Sequence, residues 1–68
     1  MKIQFKDQKA FYELMIRRGY TLSKLSIAIK KSRAYMNKAF QRNICGPAAA
    51  NEICNLLDLQ FNDIFLII

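Results

Sequence analysis

The chain has 68 residues, of which 53% are hydrophobic and 12% aromatic, and its 11 Lys and Arg against 5 Asp and Glu give a formal net charge of +6. This length allows one domain with one small core, since a chain of this size buries only about 60% of the surface that its unfolded form exposes. The apolar content excludes a disordered basic tail, and no stretch approaches the ~18 consecutive apolar residues of a membrane span. The start MKIQFKDQ is unlike a secretory signal, so we expect a soluble, intracellular protein without membrane partners.

Charge is distributed unevenly along the chain. Residues 17–42 contain eight basic residues and no acid, whereas residues 43–68 contain three acidic residues and neither Lys nor Arg. The basic residues of the first segment are Arg17, Arg18, Lys24, Lys30, Lys31, Arg33, Lys38 and Arg42. This segregation predicts a cationic face that is suited to a polyanion.

The first half of the chain predicts an N-terminal extended segment and two helices. Residues 1–6 alternate apolar and polar side chains, which fits a short strand or an extended arm. Asp7 is a candidate N-cap of a first helix, and Gly19 is suited to the left-handed position after it. Thr21 is the expected N-cap of a second helix that ends near Lys30.

A tight corner follows, and Ser32 is then suited to cap a third helix that runs through Phe40 or Gln41. Helical spacing turns Met36, Ala39 and Phe40 inward, although an interface role stays open for Phe40. The outward face is short, polar and positive, and it consists of Arg33, Ala34, Asn37 and Lys38.

The second half begins with the breaker run RNICGP, which predicts a loop, and Pro47 fits the first turn of a fourth helix. A last short helix is expected to start at Asn62 or Asp63. For the terminal FLII, helix, strand and interface all remain open. These elements predict an all-α fold: a compact bundle of four to five short helices, with a short N-terminal strand or arm, in a single domain of residues 1–68.

Residues that carry catalytic or metal chemistry are scarce. The chain has no His, so Cys45 and Cys54 cannot form a four-ligand zinc site within one chain. We expect two reduced thiols, with Cys54 packed and Cys45 near a loop, and a disulfide as the alternative. Ser23, Ser26 and Ser32 have no plausible general base, and no Gly-rich phosphate loop is present. We therefore expect no enzyme, no metal and no cofactor.

The stretch from Thr21 to Arg42 resembles the helix-turn-helix of phage repressors and Cro proteins, the xenobiotic-response-element type. It reads Thr21-Leu22-Ser23-Lys24-Leu25-Ser26, then Ile29-Lys30-Lys31-Ser32, with Met36 four positions after Ser32. The run Met36-Asn37-Lys38-Ala39 is similar to a Cro recognition helix. The similarity extends from about Phe11 to Phe65, and it implies a lambda-repressor-like DNA-binding domain with its motif at about residues 21–42.

Five positions depart from the pattern of this family. Ser26 stands in place of Ala, Lys30 of Gly, Lys31 of an apolar residue, Phe40 of Glu, and Arg42 of Gly. Lys30 requires a positive φ or a different turn at the corner. These departures weaken the resemblance at the turn and at the end of the third helix.

The resemblance implies that the third helix enters a major groove with its N-terminal residues against base edges. The expected base contacts are Arg33 to guanine, Ala34 to a thymine methyl, Asn37 to adenine and Lys38 to guanine or a phosphate. The expected phosphate contacts are Thr21, Lys24, Tyr35, Gln41 and Arg42. Each role has a plainer alternative, in which Arg33 and Lys38 are solvated charges and Tyr35 packs its ring on the second helix.

Two functional hypotheses follow. In the first, the protein is a sequence-specific DNA-binding transcriptional regulator of a phage or mobile element, acting as a homodimer on a pseudo-palindromic operator in the nucleoid of a bacterial cytoplasm. The FLII tail, Phe61 and the N-terminal segment are the expected sources of the dimer surface. In the second, the departures from the family reflect a small helix-turn-helix protein that binds and modulates a larger repressor or a toxin.

Overall fold

The computed structural model describes residues 2–68, in which five helices and two short strands succeed one another. These elements are β1 (Ile3–Phe5), α1 (Gln8–Arg17), α2 (Leu22–Ala28), α3 (Arg33–Arg42), α4 (Pro47–Leu57), α5 (Phe61–Ile64) and β2 (Phe65–Ile67). The expectation of a small, mainly helical fold is confirmed. The all-α description is too narrow, because β1 and β2 form a two-stranded sheet.

Local signals set the helix starts. The side chains of Asp7, Thr21 and Ser32 each accept a hydrogen bond from the backbone N–H three residues further on, at 3.1, 3.2 and 3.0 Å. Each bond satisfies one of the N–H groups that a helix start leaves without an intrahelical partner. Gly19 has φ +86°, the expected left-handed conformation after α1. The three N-caps predicted from the sequence are thus confirmed.

The corner between α2 and α3 begins earlier than the sequence pattern predicts. Helix α2 ends at Ala28 rather than near Lys30, and Lys30 has φ +59°. The N–H of Lys31 then donates to the backbone oxygen of Ser26 over 2.9 Å, which closes the turn. Of the two alternatives for Lys30, the positive φ is therefore the one adopted. A non-glycine residue in this region costs about 1 kcal/mol or more.

The sheet joins the two ends of the chain. Strands β1 and β2 are antiparallel, with Ile3 opposite Ile67 and Phe5 opposite Phe65. On the other side of β1, the N–H of Cys45 donates to the oxygen of Ile3 over 2.8 Å. The N-terminal segment is thus a strand, and most of the FLII tail is its partner. Two helix bounds also differ from expectation, since α3 continues to Arg42 and α5 begins at Phe61.

The core packs against an aromatic cluster centred on Phe5. The centroid of its ring lies 5.1 Å from that of Phe11, 4.9 Å from that of Phe40 and 5.0 Å from that of Phe65. Phe40 is half-buried and packs on the core. Met36 and Ala39, which were expected to turn inward, are buried, and so are Phe11 and Leu25.

Both cysteines are buried free thiols. This confirms the expected packing of Cys54. Cys45, expected near a loop, is only 3% exposed because its backbone pairs with Ile3 and its side chain joins the core. Burial, followed by the neighbouring Cys54, raises the pKa of the Cys45 thiol to about 11. None of the helices in residues 2–68 has the length and apolar character needed to span a membrane.

Candidate nucleic-acid interface

Helix α3 is fixed to the core by one face and open to solvent on the other. Met36 is fully buried and Ala39 is 5% exposed, so these residues anchor the inner face. The residues expected to contact bases are all exposed: Arg33, Ala34, Asn37 and Lys38. The outward face predicted from helical spacing is therefore present in the fold.

Arg33 does not extend freely into solvent. Its Nη1 donates a short hydrogen bond to the side-chain oxygen of Ser23 on α2, across the corner between the two helices. A guanidinium has five N–H donors, so four remain for another acceptor. The bond holds the side chain at the start of α3, and the sequence pattern gave no signal for it because the two residues are ten positions apart.

Tyr35 lies between the corner and the loop that follows α3. Its phenol oxygen accepts a hydrogen bond from the N–H of Gly46 over 3.3 Å, and Nζ of Lys31 lies 5.3 Å from the centroid of its ring. The hydroxyl hydrogen is still free to donate to a phosphate oxygen. The half-buried ring is thus tied to the loop at Gly46, a contact that neither the phosphate-binding role nor the alternative of packing on α2 had anticipated.

The remaining outer residues of α3 border two clefts. Asn37 and Gln41, one turn apart, line an open cleft of about 970 Å³ between α3 and α1. Lys38 and Arg42, also one turn apart, line a smaller cleft of about 250 Å³ on the other side of the helix. The first cleft is bordered further by residues that sequence reasoning did not single out: Gln8, Lys9, Tyr12, Glu13, Leu22 and Phe40.

The other expected phosphate contacts lie at the start of α2. Thr21 and Lys24 are both exposed. The oxygen of Thr21 accepts the N–H of Lys24 as an N-cap, and its hydroxyl hydrogen can still donate. Both side chains are therefore accessible to a phosphate backbone.

Positive charge dominates the surface formed by residues 17–42. All eight basic residues of segment 17–42 are exposed, and the segment contains no acid. Two carboxylates approach it from elsewhere, because Glu13 borders the cleft at Asn37, and Glu52 borders a shallow cleft shared with Lys30.

Comparisons of the chain with protein-family models, with curated proteins and with solved structures found no match. Its function is therefore inferred from its own residues. Those residues form an exposed, basic helix face that is rigidly backed by the core and adjoins a second short helix.

Proposed function

We propose that the protein is a sequence-specific regulator of transcription that binds double-stranded DNA, with α2 and α3 as a helix-turn-helix of the Cro/repressor type. The observation that carries this proposal is the outer face of α3, which is exposed, contains no acid and begins with an arginine held in place by Ser23. A helix of this kind, fixed to its domain by the opposite face, is the element that a major groove accommodates.

The dimensions support this arrangement. An α-helix with its side chains is about 10–12 Å across, and the major groove of B-form DNA is about 12 Å wide. Helix α3 has ten residues, which gives it a length of about 15 Å. It is long enough to place its first two turns against base edges while its last turn stays at the backbone.

The proposed roles follow the chemistry of each side chain. Arg33 presents its remaining donors to the O6 and N7 atoms of guanine, and Asn37, one turn later, pairs with the N6 and N7 atoms of adenine. Ala34 contacts a thymine methyl, and Lys38 contacts guanine or a phosphate. The residues proposed to bind phosphates are Thr21, Lys24, Tyr35, Gln41 and Arg42.

Two copies of the chain would read a pseudo-palindromic operator, since two-fold symmetry in the protein matches two-fold symmetry in the site. The two α3 helices would then lie about 34 Å apart, which is one turn of DNA. Neutralisation of phosphates releases counterions, so the affinity should fall with salt by roughly 0.9 log units per contacted phosphate for each tenfold rise in concentration.

The test is selection of bound duplexes from a random pool, followed by titration of the selected sequence. Arg33→Ala and Lys38→Ala should each weaken binding by about 1–3 kcal/mol and relax base preference at a defined position. Lys2→Ala serves as the matched control, because it also removes an exposed lysine but lies outside the basic segment 17–42. A pool without enriched sequences, together with unchanged DNA affinity in the Arg33→Ala, Lys38→Ala double variant, would contradict the proposal.

A second function is supported by the cleft between α1 and α3. Its lining includes the large side chains of Tyr12, Leu22 and Phe40, so it also suits a segment of a larger repressor or a toxin. In that case Tyr12→Glu should abolish binding of the protein partner. The unsubstituted chain would then bind DNA weakly and without sequence preference.

A further inference from the structure

The cleft between α1 and α3 has walls that are fixed by contacts within the protein. Nε2 of Gln8 donates to the backbone oxygen of Phe40 and to Oδ1 of Asn43, each over 2.7 Å, and so joins the start of α1 to the end of α3. The volume of about 970 Å³ falls in the range of about 300–1,000 Å³ that is typical of small-molecule sites, which are usually pre-formed. A ligand is therefore not needed to bring these walls together.

Three large side chains supply the apolar part of the lining. Tyr12 comes from α1, Leu22 is the first residue of α2, and Phe40 comes from α3. Tyr12 is 44% exposed, and the other two are half-buried, so part of each side chain is open to an occupant. Two aromatic rings in one cleft favour a flat, aromatic group that stacks on them.

Two amide side chains line the same cleft one helical turn apart. Asn37 and Gln41 are both exposed, and neither side chain makes a hydrogen bond with another of residues 2–68. Each amide has an oxygen that accepts and two hydrogens to donate. Asn and Gln pair with adenine by donating to N7 and accepting from the N6 amine. The aromatic group that suits this lining best is therefore adenine.

A lysine and a carboxylate complete the lining from α1. Lys9 and Glu13 are both exposed and lie one turn apart, about 6 Å along the helix axis. Lysine is a common partner of phosphate groups, and a carboxylate accepts hydrogen bonds from ribose hydroxyls. A nucleotide carries both groups next to its base. The net charge of +6 also favours an anionic nucleotide over a neutral nucleoside.

We propose that this cleft binds a free adenine nucleotide. The base packs against the rings of Tyr12 and Phe40. Its N6 and N7 edge meets the amides of Asn37 and Gln41. The ribose and the phosphate lie along α1, at its carboxylate and its lysine.

The bound nucleotide excludes operator DNA from α3, a consequence that rests on the proposed function. Asn37 is proposed to pair with an operator adenine, and Gln41 is proposed to bind a phosphate of the same DNA. An amide that is bonded to a free adenine has its donor and its acceptor already in use. Since the two ligands need the same side chains, each shifts the protein away from the other. The nucleotide should therefore release the protein from its operator.

Calorimetric titration of the full chain with adenosine 5′-monophosphate (AMP), without DNA, tests the site. We expect a dissociation constant below about 1 mM. Guanosine 5′-monophosphate (GMP) should bind at least about tenfold more weakly, since it has the same charge but an oxygen acceptor in place of the N6 amine.

Two variants assign the site to the cleft. Tyr12→Ala should weaken AMP binding about tenfold through the loss of stacking. Ile16→Ala is the matched control, because Ile16 is an exposed residue one turn further along α1 that does not line the cleft. It should bind AMP like the unsubstituted chain. Gln41→Ala should reduce the preference for AMP over GMP, a change that a purely structural effect would not produce.

Three outcomes would overturn the nucleotide site: no binding of AMP at about 10 mM, equal affinity for AMP and GMP, or equal affinity for AMP in the Tyr12→Ala and unsubstituted chains. In a second titration, AMP should displace the selected duplex where the same concentration of GMP does not. A duplex that stays bound at saturating AMP would overturn the exclusion of DNA. A chain that binds AMP with the expected preference but binds no duplex would support the nucleotide site and contradict the proposed function alone.

Discussion

The side-chain amide of Gln8 donates a hydrogen bond to the backbone oxygen of Phe40, 2.7 Å away. The same nitrogen donates to Oδ1 of Asn43 over 2.7 Å, and Nδ2 of Asn43 donates to the oxygen of Phe5 over 3.4 Å. The C-terminal end of α3 is therefore tied to the first residue of α1 and to the last residue of β1. This network sets the orientation of α3 on the body of the protein.

Gln8→Ala should lower the free energy of unfolding by about 1–2 kcal/mol in this half-buried site, because Oδ1 of Asn43 loses its donor and the backbone oxygen of Phe40 keeps only the N–H of Asn43, 3.3 Å away. Urea titration followed by circular dichroism measures the change. Gln41→Ala is the control, because Gln41 is exposed and its replacement should stay within about 0.5 kcal/mol. Equal stability of the two variants would show that the network contributes nothing.

The features predicted correctly from the sequence are those fixed by near neighbours. Asp7, Thr21 and Ser32 act on N–H groups three residues away, and apolar spacing within α3 is enough to bury Met36 and Ala39. Such signals lie within one turn of helix, so the residue types alone reveal them.

The features that the sequence did not reveal depend on distant parts of the chain. Ile3 pairs with Ile67 and with Cys45, and the residue types around these positions do not specify which segments pair. Arg33 likewise meets Ser23 only because the α2–α3 corner closes at Lys30. Periodicity predicts which residues face outward, but tertiary packing decides what each side chain touches.

Lys30→Gly should raise the free energy of unfolding by up to about 1 kcal/mol, because glycine adopts the left-handed φ of +59° without a Cβ penalty. Lys31→Gly removes the same charge from the next residue and should lower stability through the added freedom of the unfolded chain. Thermal and urea unfolding of the two variants provide the comparison. A loss of stability in both would show that the corner is not strained at Lys30.

Asn37→Ala should reduce discrimination at one base pair of the selected operator by about 1–3 kcal/mol, since the side chain is proposed to pair with adenine. Asn51→Ala provides the control, because Asn51 is an exposed asparagine on α4. Binding to duplexes substituted at each position measures the effect. The same loss in both variants, or in neither, would contradict the role of Asn37.

Ser23 should act as a positioning residue for Arg33 rather than as a DNA contact. Ser23→Ala frees the guanidinium and should weaken specific binding by about 0.5–1.5 kcal/mol, the range for one hydrogen bond. In an Arg33→Ala background the same change should have no effect, which a double-mutant cycle of affinities detects. Additive losses would mean that Ser23 contacts DNA by itself.

The Cys45 thiol should make the protein less stable at alkaline pH. In the unfolded chain its pKa is near 9.0, whereas burial, and then the adjacent Cys54, raise the pKa in the folded protein to about 11. Below pH 9 the thiol is protonated in both states and adds no pH dependence. Between pH 9 and 11 the unfolded chain releases its proton and the folded protein retains it, so the free energy of unfolding falls by up to about 2 kcal/mol.

Cys45→Ala provides the control for this decline, because it removes this thiol and leaves the rest of the sequence unchanged. Urea titrations on both sides of pH 9 should show a steeper loss of stability in the unsubstituted chain than in the variant. Burial should also slow reaction of Cys45 with thiol reagents at neutral pH, because the thiolate is the reactive form. Parallel pH profiles for the two chains would contradict this prediction, because they would show that the thiol ionises equally in the folded and unfolded states. We expect unequal ionisation because Cys45 is buried and its backbone pairs with Ile3.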